Sequence, residues 1–328
     1  MNGQSMSAIV RTGSSGWSFG FWNKSSLYTL RNGKKIGGTK QLDRYASILS
    51  CVELNASFYR TPAAKTVLGW KQRMSHLPEH FKFVIKMNQY ATHKKLLRDP
   101  ESWWPDFWER MSLLGERMGP ILIQLPPRFG YTEANMEAIA TLEHVLPDHP
   151  FVFEFRHASW KRSHLEDLFT RTGWTVAVTH VNNKPASWTR RKDPWTKLDD
   201  GWSDMGIHNR FTYIRLHGTR GQYTGSYEGT EDGLTLSRLV SEAIQRGRPV
   251  WILFNNTDSM ERKGGIRVPS AIRDAILFWN HANKGIKNLW NTFRKVCSHE
   301  CPSTKRERIS HLYREYKSIF EKCLLASI

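Results

Sequence analysis

Cysteine is scarce: Cys51, Cys297, Cys301 and Cys323 are the only four in 328 residues. A chain of this size with so few, three of them clustered, is not a disulfide-built fold. Long apolar runs are missing too. No stretch approaches the ~20 consecutive apolar residues that cross a bilayer, and the opening MNGQSMSAIVRTG lacks the basic, apolar and small-residue zones of a signal peptide. The expectation is a cytoplasmic chain with no transmembrane association. Acidic residues are in deficit, 30 Asp and Glu against 48 Lys and Arg, for a formal charge of +18. Such a field favours anionic partners: DNA, RNA, phosphorylated small molecules or an anionic membrane surface. A Gly-rich dinucleotide turn is also absent. Gly13-Ser14-Ser15-Gly16 runs on into Trp17-Ser18-Phe19 and not into a helix with a third glycine, so an open doubly wound sheet has no fingerprint to support it.

What is present is a packed globule, with 39% hydrophobic and 12% aromatic residues. Eight short runs rich in β-branched and aromatic residues recur: IVRTG ending at Gly13, CVELN at 51–55, FKFVIK at 81–86, ILIQL at 121–125, FVFEF at 151–155, TVAVT at 175–179, FTYIRLHG at 211–218 and VWILF at 250–254. Near-continuous apolar character is what strands covered on both faces require. Between most of them lie segments whose apolar residues recur at three and four, the mark of helices. Strand then helix, repeated, is the crossover unit of a parallel sheet, and eight units match a TIM-type (β/α)₈ barrel, of class α/β with an outer ring of helices. The barrel is expected over residues 1–283. Residues 284–328 carry ten basic and four acidic side chains and form a basic C-terminal extension expected to be helical. Within it Cys297, His299 and Cys301, with His311 and Cys323 further on, lack the spacing of a common zinc knuckle. Two polar stretches, 180–210 and 255–267, read as long loops after strands six and eight.

In a barrel the C-terminal ends of the strands converge on one mouth. Read off in order, they supply Ser15 and Trp17, then Glu53 and Asn55, Lys86 and His93, and Gln124. Glu154, Arg156 and His157 follow, then Thr179 and His180, Arg215 and His217, and finally Asn255 and Asn256. Buried charge is costly unless paired, so a charged residue in run after run points to a linked polar network where a ligand binds. Acid–base work needs groups whose pKa values neighbours push apart, and Glu53, Glu154 and His217 are the catalytic candidates. Lys86, Arg156 and Arg215 are the anion-binding candidates, joined in the substrate-binding set by Trp17, Asn55, His93, Gln124, Tyr223, Tyr227 and Asn255. The two tyrosines sit in HGTRGQYTGSYEG, a Gly-rich loop after strand seven where barrels often hold phosphate. Glu53, Glu154, His180 and His217 also carry metal-ligating atoms, which the three cations oppose. No metal or cofactor is assigned from the sequence.

The stretches SSGWSFGFW at 14–22, VELNASFYRTP at 52–62, FVIKMNQYATH at 83–93, GPILIQLPPRF at 119–129, FEFRHASW at 153–160, YIRLHGTRGQYTGSY at 213–227 and FNN at 254–256 together resemble the DUF72, or YecE-like, family of unknown function. The resemblance implies a TIM-type barrel and adds Tyr59 and Trp160 to the signature positions. It implies no reaction. Three departures stand out: TVAVTHVNNKP puts His180 or Asn182 where an acidic residue is usual, the stretch after Asn256 is long and basic, and the region from Lys284 has no counterpart. The residues point to an enzyme acting on a phosphate-containing or nucleic-acid substrate, and equally serve a non-catalytic binding protein for such a ligand.

Overall fold

A computed structural model describes residues 10–182 and 202–283, apart from residues 31, 39, 74, 75, 77, 79, 264 and 265. Strands β1 (Val10–Ser14), β2 (Cys51–Leu54), β3 (Lys82–Lys86), β4 (Met118–Gln124) and β5 (Phe151–Glu154) each pair in parallel with the next. The run at 175–179 changes partners at Ala177. Its first half, β6 (Thr175–Val176), pairs with β5. Its second half, β7 (Val178–His180), lies between a short antiparallel β8 (Trp202–Ser203) and the parallel β9 (Thr212–Leu216). Strand β9 pairs with β10 (Val250–Phe254), which returns to β1. The eight sequence runs therefore form one curled, mostly parallel sheet of TIM-like α/β type, whose parallel ladder begins and ends within the single run 175–179 while β8 adds an antiparallel edge beyond β7.

Period two explains both faces of this sheet. Val52, Leu54, Phe83, Ile85, Ile121, Ile123, Phe151, Phe153, Ile214, Leu216, Ile252 and Phe254 belong to the larger core between strands and helices. Cys51, Val84, Leu122, Val152, Tyr213 and Leu253 form a second, smaller core inside the barrel. Each such side chain fully buried contributes ~1.5–3 kcal/mol. Two residues further along β2, β3, β4, β5 and β9, the same interior face carries Glu53, Lys86, Gln124, Glu154 and Arg215. An apolar floor thus lies directly beneath a polar layer. Gly13 lets β1 approach β2, since a Cβ there would stand 2.1 Å from the Cys51 carbonyl oxygen.

Helices α1 (Lys40–Ala46), α2 (Ala56–Tyr59), α3 (Ala64–Arg73), α4 (Trp104–Ser112), α5 (Glu133–Thr141), α6 (Arg162–Thr172), α7 (Glu231–Gln245) and α8 (Ser270–Asn283) occupy the connections. Thr132 and Thr230 cap α5 and α7 by accepting from Asn135 N and Gly233 N, both at 3.1 Å. The aromatic stripe of α4 is packing: Trp104 stacks on Trp108 at 5.3 Å and meets Phe151 at 5.8 Å. Among the described residues no helix is long and apolar enough to cross a membrane.

Both expected loops hold structure that sequence reading misses. β11 (Met260–Lys263) and β12 (Ile266–Pro269) pair as an antiparallel hairpin within and just beyond the stretch read as a loop after strand eight. Trp202–Ser203 likewise pairs with β7 inside the other polar stretch. The basic extension over 284–328, with its cysteines and histidines, lies outside the described residues.

Candidate functional site

The polar layer is organised around Arg215. Its Nε donates to Glu53 Oε2 at 3.0 Å and its Nη2 to Glu53 Oε1 at 2.7 Å, while Nη1 pairs with Glu154 Oε2. Tyr213 Oη donates to Glu53 Oε2 at 3.1 Å from the apolar layer below. Glu154 Oε1 accepts from Gln124 Nε2 at 2.8 Å and from Arg156 Nε at 3.0 Å. Glu53 and Glu154 are both fully buried, and every carboxylate oxygen of the pair has a donor. Burial alone would raise the Glu154 carboxyl, but Arg215 first and Arg156 next hold it well below the usual carboxylate range. The carboxylates are therefore the fixed counter-ions of two arginines.

Above this network lies a cavity of about 360 Å³. Of the residues expected at the mouth, Asn55, Lys86, His93, Gln124, Arg156, Arg215, His217, Tyr223 and Asn255 all line it. Glu53 and Glu154 sit beneath, behind Arg215. Ser15, Phe19, Phe58, Tyr59, Thr257 and Asp258 complete the wall. Among these, Tyr59 entered through the family resemblance and Ser15 through the strand-end reading. Phe58 sits on α2, a one-turn helix directly after β2, and its neighbourhood to Lys86 depends on a turn geometry that periodicity does not encode.

Lys86 is the last residue of β3, and Ser57 Oγ donates to its carbonyl at 2.7 Å. Its ammonium nitrogen lies 4.1 Å from the centre of the Phe58 ring and donates no hydrogen bond to any described residue. Burial first, then Arg215 and Arg156, lower the amine from its ordinary 10.5 to about 7. His93 stands edge-on to the same Phe58 ring at 5.1 Å, and Thr92 Oγ1 lies 2.9 Å from its Nδ1. Desolvation, followed by Arg156 and Lys86, brings His93 down to about 4. His217 is held well below the ordinary imidazole value by burial and then Arg215. Both rings are neutral at pH 7.

Two amides face this cavity with unsatisfied capacity. Asn255 is 2% exposed, and neither its Oδ1 nor its Nδ2 has a hydrogen-bond partner among the described residues. Asn55 donates from Nδ2 to the Ser15 carbonyl at 3.0 Å while its Oδ1 has no such partner. Tyr223, which also lines the cavity, is held at φ +65° with its N donating to the His217 carbonyl at 2.5 Å. That turn depends on Gly218, at φ +110°, where a Cβ would meet the Thr224 carbonyl oxygen at 2.2 Å. Asn256 anchors the same loop, donating to Gly225 O and Asp274 Oδ2, both at 2.7 Å.

Some expected members stand elsewhere. Trp17 packs edge-on to Trp70 at 6.3 Å, and its carbonyl accepts from Tyr28 Oη. Tyr227 is buried and shares a 2.6 Å hydrogen bond with His180 Nδ1, whose Nε2 lies 3.2 Å from Asp232. Asn182 donates to the Thr219 carbonyl at 2.9 Å, and exposed His157 lies 2.8 Å from Ser159 Oγ. None of these lines the cavity. Among the described residues no three His, Cys, Asp or Glu side chains gather as a metal-ligand set.

The family model for a protein of unknown function, DUF72, matches residues 11–263. The chain belongs to the DUF72 family. It is 28% identical over 278 residues to YunF of Bacillus subtilis strain 168, covering 76% of this chain and 89% of that protein. It is 31% identical over 118 residues to YecE of Escherichia coli K12, an alignment that spans 36% of this chain and 40% of that relative. The crystal structure of a DUF72 family protein from Thermotoga maritima MSB8 superposes with a TM-score of 0.61 at 24% identity, over 86% of this chain and 99% of that one. A DUF72 family protein from Enterococcus faecalis V583 gives 0.60 at 20% identity, over 84% and 96%. These likenesses establish the fold of the DUF72 barrel.

Proposed function

We propose that the mouth of this DUF72 barrel binds a phosphate-containing small molecule and acts on it as an enzyme. The observation that carries this reading is the uneven pairing of the three cations. Arg215 and Arg156 are tied to carboxylates set beneath them, whereas Lys86 lines the same cavity without an acceptor among the described residues. A cavity walled by cations, with a buried amide at Asn255 and few exposed acids, favours an anion with several acceptor oxygens. Glu53 and Glu154 then serve as orienting groups that fix Arg215, and neutral His93 and His217 are placed to accept or relay protons.

Calorimetric titration with inorganic phosphate, pyrophosphate and AMP, on the wild type and on Lys86→Met, tests this. One saturable site, weakened at least tenfold by the substitution, is expected. No binding of any of the three, or equal binding by both proteins, would overturn it.

A nucleic-acid substrate is the second reading, favoured by the charge of +18. It requires retention of a short DNA or RNA strand whose affinity falls steeply as salt rises, with AMP competing for the same site.

A further inference from the structure

We propose that Lys86 is a covalent nucleophile, whose side-chain nitrogen attacks the carbonyl carbon of a phosphate-bearing aldehyde or ketone to form an imine in the cavity. The inference rests on the anion-binding reading above and names the substrate class for that site. A lysine whose only task is to hold an anion gains from staying charged, and its neighbours normally help it do so. Here burial is the largest effect and works against the charge, Arg215 and Arg156 add to it, and Glu53 and Glu154, both bonded to those arginines, offset it only in part. The ring face of Phe58 covers the nitrogen at 4.1 Å, a contact that attracts an ammonium and at the same time shields the amine from water. Desolvation beside other cations is how a lysine is made nucleophilic near neutral pH, and the fall to about 7 agrees with it. With the amine lowered to about 7, both of its forms are present near pH 7: the ammonium that draws in the anion and the free base that attacks the carbonyl carbon.

The step balances as follows. The nitrogen lone pair forms the C–N bond, and the carbonyl π pair moves to oxygen, which takes up a proton to give a carbinolamine. The nitrogen then releases one of its protons to solvent, a transfer that His93 and His217, which line the cavity, can relay but, held below the ordinary imidazole value, do not retain. A further proton on the hydroxyl lets it leave as water. The net result is that amine, carbonyl and one proton give a protonated imine and one water. No oxidant or reductant takes part.

The test is reductive trapping of the full chain with glyceraldehyde 3-phosphate and sodium cyanoborohydride at pH 7.5, read by peptide mass spectrometry. The expected result is one equivalent of adduct on the peptide containing Lys86, formed at least tenfold faster than on any other lysine, and at least tenfold faster than with unphosphorylated glyceraldehyde. The labelling rate should rise through pH 7 and level off, while surface lysines continue to gain up to pH 10. Label spread evenly over the lysines overturns the imine. If phosphate still binds calorimetrically in that case, the anion site stands and only the covalent step is lost, whereas loss of both removes the two readings together. Equal labelling of Lys86 by both aldehydes overturns the phosphate-bearing substrate class. The readout uses the wild-type protein, so it does not depend on whether a Lys86 variant folds.

Discussion

Arg215 reaches Glu53 through two parallel hydrogen bonds, Nε to Oε2 at 3.0 Å and Nη2 to Oε1 at 2.7 Å, although 162 residues separate the two in sequence. The pair is almost wholly buried, with side-chain exposures of 3% and 0%. A buried pair is expensive to break from one side only, because the remaining partner keeps its charge without its hydrogen bonds. Arg215→Met leaves Glu53 with Tyr213 alone, and Glu154 with Arg156 and Gln124. The substitution is expected to cost about 3–5 kcal/mol of unfolding free energy in urea denaturation. A loss under about 1 kcal/mol, the range of an exposed pair, would show that the polar layer is not held together by this arginine.

The pH dependence of the same network has a definite sign. Against the penalty of burial, Arg215 and then Arg156 hold the folded Glu154 carboxyl well below its usual range, whereas in the unfolded chain a glutamate protonates near ~4.3. The unfolded state therefore takes up this proton first as acid is added. The stabilisation is complete above the unfolded value and drains away as pH falls below it. Glu154→Gln should be clearly less stable than the wild type at pH 7, and thermal melts should show the gap closing between pH 5 and pH 3. A gap of constant size over that interval would mean that the carboxylate charge is not what stabilises the fold.

The barrel is legible in the sequence because the strands are buried on both faces, and CVEL, FVFE and VWILF stand out from their surroundings whatever their partners. The mouth is legible for the same reason. Glu53, Lys86, Glu154 and Arg215 are charges inside otherwise apolar runs, and alternation puts each on the interior face. What alternation does not carry is which charges neutralise one another. Glu53 and Glu154 read as acid–base candidates, and only the geometry reveals that their oxygens are occupied by Arg215, Arg156, Gln124 and Tyr213. Lys86 read as one of three equivalent cations, and the turn that sets Phe58 against it separates it from the arginines. The hairpin of β11 and β12 hides in the charged MERK and IRVP, although a Gly-Gly pair between two short segments is a hairpin signal. Trp17 and Tyr227 lie in motifs whose other members reach the cavity, and nothing in residue type tells a lining aromatic from a supporting one.

Asn255 separates function from stability. Its amide is 2% exposed and has no hydrogen-bond partner among the described residues, so its polarity adds nothing visible to the fold. Replacing an unsatisfied buried polar group by an apolar one of similar shape is close to neutral or stabilising. Asn255→Leu is expected to melt at or above the wild-type temperature while losing at least tenfold in affinity for phosphate or pyrophosphate. A variant that melts well below the wild type and binds normally would place Asn255 among the groups that support the barrel, away from the ligand.

Lys86 yields the opposite pH signature to Glu154. Burial, Arg215 and Arg156 bring the folded amine to about 7, while in the unfolded chain it titrates near ~10.4. Below pH 7 both states carry the proton, and the folded protein bears the full cost of a charge set beside two guanidiniums. Between pH 7 and the unfolded value the folded state has lost the proton and the unfolded state keeps it, so this cost declines as pH rises. Lys86→Met removes the cost at every pH. The variant should therefore be more stable than the wild type at pH 6, with an advantage that shrinks steadily from pH 7 to pH 10 in denaturant titrations. An advantage that grows with pH, or a variant less stable at pH 6 than at pH 9 relative to the wild type, would mean that the folded protein stabilises the ammonium, and the case for a neutral amine at the barrel mouth would fail with it.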